Sequence, residues 1–393
     1  MQHREQLSQE KKTKTESNKF NQNKSEFSSP RQNGWRGVFG INRARRYPWN
    51  KAITAGLTIG IPFIVGNIFD RLDWALLAGI GGFTALYVHN ESYKQRAIKL
   101  LLVNIGLIIS FGLGLVAAIS PWTMALALSG VATISTFICG AFRVPPPSGY
   151  FFVLVCAVGT SLPVDLSVTL SRMAIAFLGG CLAWVLSMSS WLFIPDNRER
   201  VVPSKDSSLA SKSVRTLFRS ALDKHSQVVS ASYRNGLVIL IATFIAYALG
   251  IERLYWVPLS CASVLQGATI LAMLHRALQR SVGTAVGILI AGGIFALNPS
   301  FLMLGLWVIM LQFVVELIIV RNYAFAVVFI TPLALIIAES GQPNMPVSTL
   351  IGARLLDTLL GSAIGLVGAF LWRKFDKENS PTGEPRPWAK TET

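Results

Sequence analysis

Gln266-Gly-Ala-Thr269 and, shortly after, His275-Arg276-Ala-Leu-Gln279-Arg280-Ser-Val-Gly283-Thr284-Ala-Val-Gly287 set two guanidinium groups and several neutral hydrogen-bonding side chains among long apolar runs. Arg276 and Arg280 are four residues apart and so share one helical face. Earlier in the chain Gln95-Arg96-Ala-Ile-Lys99 echoes the pattern. Two such clusters bring several cations to one membrane surface, where they can attract an organic anion or hold anionic lipid head groups. They also serve as ordinary positive flanks of membrane spans. On the anion reading, Arg276, Arg280 and Arg96 collect the ligand, and Gln266 and Thr269 hydrogen-bond it nearer the midplane.

Carboxylates supply the second chemistry. Glu316 lies in the apolar run 311–320, just before Arg321. An ionisable group inside a span is costly, which makes Glu316 the first candidate for proton coupling. Pairing with Arg321 or reaching to the surface would make it a simple anchor. Asp357 follows Arg354 by three residues, on the same helical face near an expected outer span end. A local ion pair, a gate at the outer mouth, or a second proton-coupling site all fit. Cys139, Cys156, Cys181 and Cys261 lack paired spacing, and the four histidines are scattered. No metal site or cofactor is expected, nor is enzymatic activity, because neither a nucleophile elbow nor a phosphate-binding loop stands in the chain.

The elements that must position these groups are helices in a membrane. The chain of 393 residues is 52% apolar and 14% charged. Apolar runs near 52–69, 72–88, 97–118, 121–140, 149–163 and 172–194, and again near 234–250, 254–272, 281–297, 300–320, 323–338 and 352–372, predict twelve spans and an all-α polytopic fold. Residues 70–74, Asp-Arg-Leu-Asp-Trp, return at 252–256 as Glu-Arg-Leu-Tyr-Trp, and the same offset pairs Arg172 with Arg354 and Gly179 with Gly361. The chain thus reads as two parallel six-helix repeats, 49–195 and 234–373, since an even number of spans returns each half to the same side. Residues 1–48 and 374–393 read as disordered tails on the inner side, and 196–233 as a linker. Leu209, Val214, Leu217, Phe218 and Leu222 give that linker helical spacing, either as an amphipathic surface helix or as an extension of the seventh span.

Lys and Arg gather on one set of loops, which places both termini inside. No cleavable leader is read; the first span is expected to act as an uncleaved anchor. The net charge of +16 is spread as membrane flanks, so nucleic acid is not an expected partner. Arg143-Val-Pro-Pro-Pro-Ser-Gly149-Tyr predicts a rigid inner loop before the fifth span, with Arg321-Asn-Tyr323 in the corresponding place later. Gly179 and Gly180, and Gly361, Gly365 and Gly368, predict close helix approach at the interface of the halves or of a homodimer.

Tyr255-Trp-Val-Pro-Leu, then Gln266, Thr269, Arg276, Arg280, Gly283-Thr284 and Gly287, resemble the signature of the fusaric acid resistance family, which includes the aromatic acid exporters. Arg354, Asp357, Thr358 and Gly361 resemble its final-span pattern. The resemblance implies a bacterial inner-membrane protein of two six-span halves. It also implies structural or gating roles for Arg354, Gly283, Thr284, Gly287 and Gly361, and export of aromatic or other hydrophobic carboxylates. More distantly the family is similar to plant malate-permeable anion channels. The chain departs from the best-known exporters in carrying a short linker where they carry a large cytoplasmic domain, and in having Val103-Asn104 where the second half has Gly283-Thr284. The expectation is a proton-coupled exporter of organic anions, with membrane lipids, a second copy of the chain and a periplasmic adaptor as further partners. A passive anion channel and a non-transporting envelope scaffold are the alternatives.

Overall fold

The computed structural model describes residues 38–40, 47–89, 91–189, 214–222, 226–251, 253–339 and 347–379. Residues 41–381 form one compact unit; of a second unit, 1–40 with 382–393, only 38–40 are described. The expected N-terminal tail therefore lies almost wholly outside the described residues, as do most of the linker and residues 380–393, whereas 374–379, expected in the C-terminal tail, continue the last helix to Asn379.

Among the described residues the structure is helical throughout, without strands. Six helices precede the linker: α1 Trp49–Ile68, α2 Leu72–Gly82 with a 3-10 turn Phe83–Tyr87, α3 Tyr93–Ala117, α4 Pro121–Ala141, α5 Tyr150–Ser161 and α6 Leu166–Met188. Six follow it: α7 Gln227–Ala248, α8 Trp256–Leu265, α9 Ile270–Ala296, α10 Phe301–Ile318, α11 Tyr323–Glu339 and α12 Val347–Asn379. Small polar residues start most of them. Ser92, Asp165, Ser226, Thr269 and Ser300 each accept a backbone N–H of the first turn, and Ser120 forms a capping box with Thr123 beside Pro121.

Seven helices are long and apolar enough to cross a membrane: α1, α3, α4, α6, α7, α9 and residues 352–373 of α12. The other five, α2, α5, α8, α10 and α11, run from 10 to 18 residues. The expectation of twelve full spans is thus met in length by seven. A helix of ten residues rises only about 15 Å, half the hydrocarbon thickness. The short helices are uniformly apolar, so hydropathy alone cannot tell them from full spans.

The main packing pairs are α3 with α5 and α9 with α11, α2 with α6 and α8 with α12, α3 with α6 and α9 with α12. Two further pairs cross between the halves, α1 with α10 and α4 with α7. One apolar cluster, including Leu128, Val153, Ile239, Leu259 and Met273, joins α4 and α5 to α7, α8 and α9. A second fills the space among α2, α3, α5 and α6, and a third holds α1 and α2 against α9, α10 and α11.

The glycine stripes do not lie between the halves. A Cβ at Gly179 would overlap the Ala78 carbonyl oxygen of α2, and one at Gly361 the Val257 carbonyl oxygen of α8. Gly365 faces Cys261 and Val264 of α8, and Gly368 faces Val238 of α7. Each stripe therefore lets two helices of one half touch backbone to backbone.

The linker contributes a separate short helix, Val214–Ala221, which ends in a bend at Leu222 and does not run on into α7. Phe218 lies edge-on to Phe137 and Phe142, so the helix leans on the end of α4. Leu209 lies outside the described residues.

Candidate functional site

Three helices of the second half present matching faces. On α8, Trp256, Ser260 and Ser263 follow helical spacing, and both serines are buried. On α9, Arg276, Arg280, Gly283, Thr284 and Gly287 form one face. On α12 the face is Arg354, Asp357, Thr358 and Gly361.

Gly283 and Gly287 let that face of α9 close on α11, since a Cβ would stand 2.7 Å from the Ala324 carbonyl oxygen and 2.6 Å from that of Val328. The close approach brings Tyr323, the first residue of α11, onto Arg280. Arg280 is 4% exposed. Its Nη1 donates to Tyr323 Oη at 3.3 Å and its Nη2 to Ser260 Oγ at 3.3 Å. Tyr323 Oη donates in turn to Ser263 Oγ at 3.4 Å. Arg276 lies over the same tyrosine ring at 5.1 Å, so Tyr323 is held by one arginine at its face and another at its hydroxyl.

Arg354, also 4% exposed, stacks on Trp256 at 3.6 Å. Trp256 and Ser260 are one helical turn apart, so α8 offers neighbouring positions on one face to the two arginines. Arg354 lies within electrostatic reach of Arg280, Tyr150, Tyr255 and Asp357. Tyr150, the first residue of α5, brings the other half of the chain to the cluster.

Neither arginine is quenched. Among the described residues the ion pairs are Lys51–Glu316, Arg71–Asp73 and Lys99–Glu91, and none involves Arg280 or Arg354. Arg280 Nε, Arg354 Nε and Arg354 Nη1 are buried donors without a hydrogen-bond partner, and Asp357 Oδ2 is a buried acceptor without one. Removing a guanidinium from water costs several kcal/mol unless charge and hydrogen bonds return it. Two guanidinium groups beside aromatic rings, one with Nε and the other with Nε and Nη1 unpartnered, are therefore suited to receive an anion with an apolar body.

The structure redistributes the residues singled out in the sequence. Arg276, Arg280, Gly283, Thr284, Gly287, Arg354, Asp357 and Gly361 converge on this one region. Arg354 had been expected at the outer mouth, away from the inner arginine pair, but it stands beside Arg280. The reason is helix length: α12 begins at Val347 and α9 at Ile270, which sets both arginines well inside their helices rather than at the ends.

Gln266 and Thr269, expected nearer the midplane than the arginines, occupy the tight turn between α8 and α9. Gln266 ends α8, and Thr269 Oγ1 accepts the Ala272 N–H at 3.1 Å as the cap of α9. Arg96 does not join the cluster. It donates to the His89 carbonyl at 3.3 Å and covers Tyr93 at 4.9 Å, next to the Lys99–Glu91 ion pair.

Glu316 is 3% exposed on α10, and its neighbour is Lys51 of α1, with Nζ 3.6 Å from Oε2. Arg321, one of the two anchoring alternatives for Glu316, lies over the Tyr47 ring at 3.6 Å. Burial penalises a lone carboxylate, and the first turn of α1 brings the compensating cation. Sequence reasoning missed Ser260, Ser263 and Lys51 as participants. The two serines give a faint signal, hydroxyls three residues apart in an otherwise apolar helix below Trp256.

The segment that carries this cluster can be compared with known proteins. Residues 241–368 match the fusaric acid resistance protein-like family. All of the cluster except Tyr150 falls within those residues. The chain is also 29% identical to the uncharacterized membrane protein YvaC of Bacillus subtilis (strain 168), over 86% of this chain and 75% of that protein. No solved structure matches the chain. The family, the membrane relative and seven membrane-length apolar helices together make this an integral multi-pass membrane protein.

Proposed function

We propose that this protein exports organic anions, aromatic or otherwise hydrophobic carboxylates, across the bacterial inner membrane. The observation that carries the reading is the pair of buried arginines, Arg280 and Arg354, with unused N–H donors beside Trp256 and Tyr323. A carboxylate fills those donors with charge-assisted hydrogen bonds, and its apolar body lies against the aromatic side chains. Arg276, partly exposed nearer the start of α9, draws the anion in from the inner side.

The twelve apolar helices are arranged as two parallel repeats of six, with both termini inside. The matching pairs α3–α5 with α9–α11, α2–α6 with α8–α12, and α1–α10 with α7–α4 support this arrangement. Short helices at corresponding places in the two halves, α2 with α8 and α5 with α11, also point to a binding region between them. Export is driven by the proton gradient, with the buried Glu316 as the coupling carboxylate.

Passive flow through an anion channel is the alternative, and one observation favours it. Glu316, the coupling candidate, is matched by Lys51 on a different helix pair from the arginines, which sets it apart from the anion cluster.

Flux of a labelled aromatic carboxylate from proteoliposomes, with and without an imposed proton gradient, tests both readings. Gradient-dependent efflux supports the exporter. Equal flux in the two conditions supports the channel, and absence of flux for any organic anion overturns both.

A further inference from the structure

The buried charges of the cluster do not balance. Arg280 and Arg354 bring two positive charges, and Asp357, 2% exposed, brings one negative charge. Asp357 is close enough to Arg354 to act on it electrostatically. It nevertheless forms no ion pair within contact distance among the described residues, and one of its oxygens accepts no hydrogen bond. It therefore lowers the positive field of the site without consuming the arginine donors, which stay open at Arg280 Nε, Arg354 Nε and Arg354 Nη1.

The other charged groups near the cluster are Arg253, which faces Asp357, and Arg276, over Tyr323. Both are only partly buried, so water screens them far more than the three groups inside.

We propose that Asp357 is a fixed internal counter-charge that sets the valence of the transported anion, so that the site accepts a monocarboxylate and rejects a dicarboxylate. In a low-dielectric site the net charge of the fixed groups dominates selection between ligands of similar shape. A single carboxylate neutralises the sum of Arg280, Arg354 and Asp357. A second carboxylate on the same ring leaves an excess negative charge facing Asp357 itself. Without Asp357 the same two arginines match a dianion. This inference rests on the exporter reading, because it assigns Arg280 and Arg354 to the substrate.

The test uses the purified full-length chain in detergent, with calorimetry of benzoate, phthalate and benzamide. These probes share a ring and carry one, two and no negative charges. The wild type is expected to bind benzoate at least about tenfold more tightly than phthalate, and benzamide not at all. Asp357→Asn is expected to shift the ratio by about tenfold or more toward phthalate. Asp357→Glu keeps the charge and is expected to keep the wild-type ratio.

A wild type that prefers phthalate overturns the proposal, and so does an Asp357→Asn protein whose ratio is unchanged. Should Asp357→Asn fail to fold, the wild-type ratio and the Asp357→Glu ratio decide in the same way. Loss of the valence rule alone, with benzoate binding still abolished by Arg280→Gln, leaves the exporter reading standing. Binding of neither anion to the wild type removes both.

Discussion

Arg280 ties two helices to one charge, since one Nη donates to Tyr323 at the head of α11 and the other to Ser260 on α8. Lysine keeps the charge but lacks the planar fork that serves both partners at once. Arg280→Lys is therefore expected to retain some transport, about tenfold below wild type, whereas Arg280→Gln loses about a hundredfold, in initial flux per reconstituted protein. Equal rates for all three would remove Arg280 from the pathway. Glu316 makes a different prediction. Glu316→Gln leaves Lys51 without its carboxylate in a part-buried place and is expected to lower stability by roughly 1–3 kcal/mol in thermal unfolding. Lys51→Met should cost a similar amount, and the double variant less than the sum of the two. Arg276 and Arg280 were legible from their spacing. Arg354 was visible as a residue but not as their neighbour, because a sequence does not say how far inside a helix a charge sits when the helix start is itself unmarked. Lys51 was unreadable, since its partner lies more than two hundred residues away.

At the scale of elements, the decisive feature is that α8 is short and is gripped by α12 through glycine. Gly361→Ala sets a methyl against the Val257 carbonyl and must push the two helices apart. It is expected to cost roughly 1–3 kcal/mol and to weaken anion binding, because Trp256 and Ser260 move with α8. Gly130 on α4 has open space around it, and Gly130→Ala is expected to change stability by less than about 1 kcal/mol in the stabilising direction. Thermal unfolding of the two variants in one detergent checks the contrast. Helix positions were largely legible, since every apolar run in the sequence corresponds to a helix in the structure. Helix ends were less so. The expected spans near 254–272 and 281–297 leave 273–280 between them, yet this stretch belongs to α9, with Met273, His275, Ala277 and Arg280 all buried. His275 and Arg280 face protein rather than water, which hydropathy cannot register.

At the scale of the whole molecule, the crossing pairs α1 with α10 and α4 with α7 make each set of six helices incomplete without the other. Residues 1–200 or 201–393 produced alone are expected to aggregate or be degraded, and joint production of the two pieces to restore a monodisperse protein by size-exclusion chromatography. A single piece that is monodisperse would show that the crossing contacts are dispensable. The two pentapeptides around Trp74 and Trp256 carried no hint that α1 pairs with α10 and α4 with α7. Periodicity places apolar faces on a helix and carries no record of which distant helix covers them.

The pairing of α1 with α10 also has a consequence in time. Some 230 residues separate the end of α1 from the start of α10, and a ribosome adding about 5–20 residues per second needs roughly 10–50 s to supply them. Throughout that interval α1 can pack on α2 and α6, but Ile59 and Phe63 lack the α10 face that completes their burial, and Lys51 has no Glu316 to meet. Of the helices α1 to α12, α1 is made first and completes its contacts only when α10 arrives.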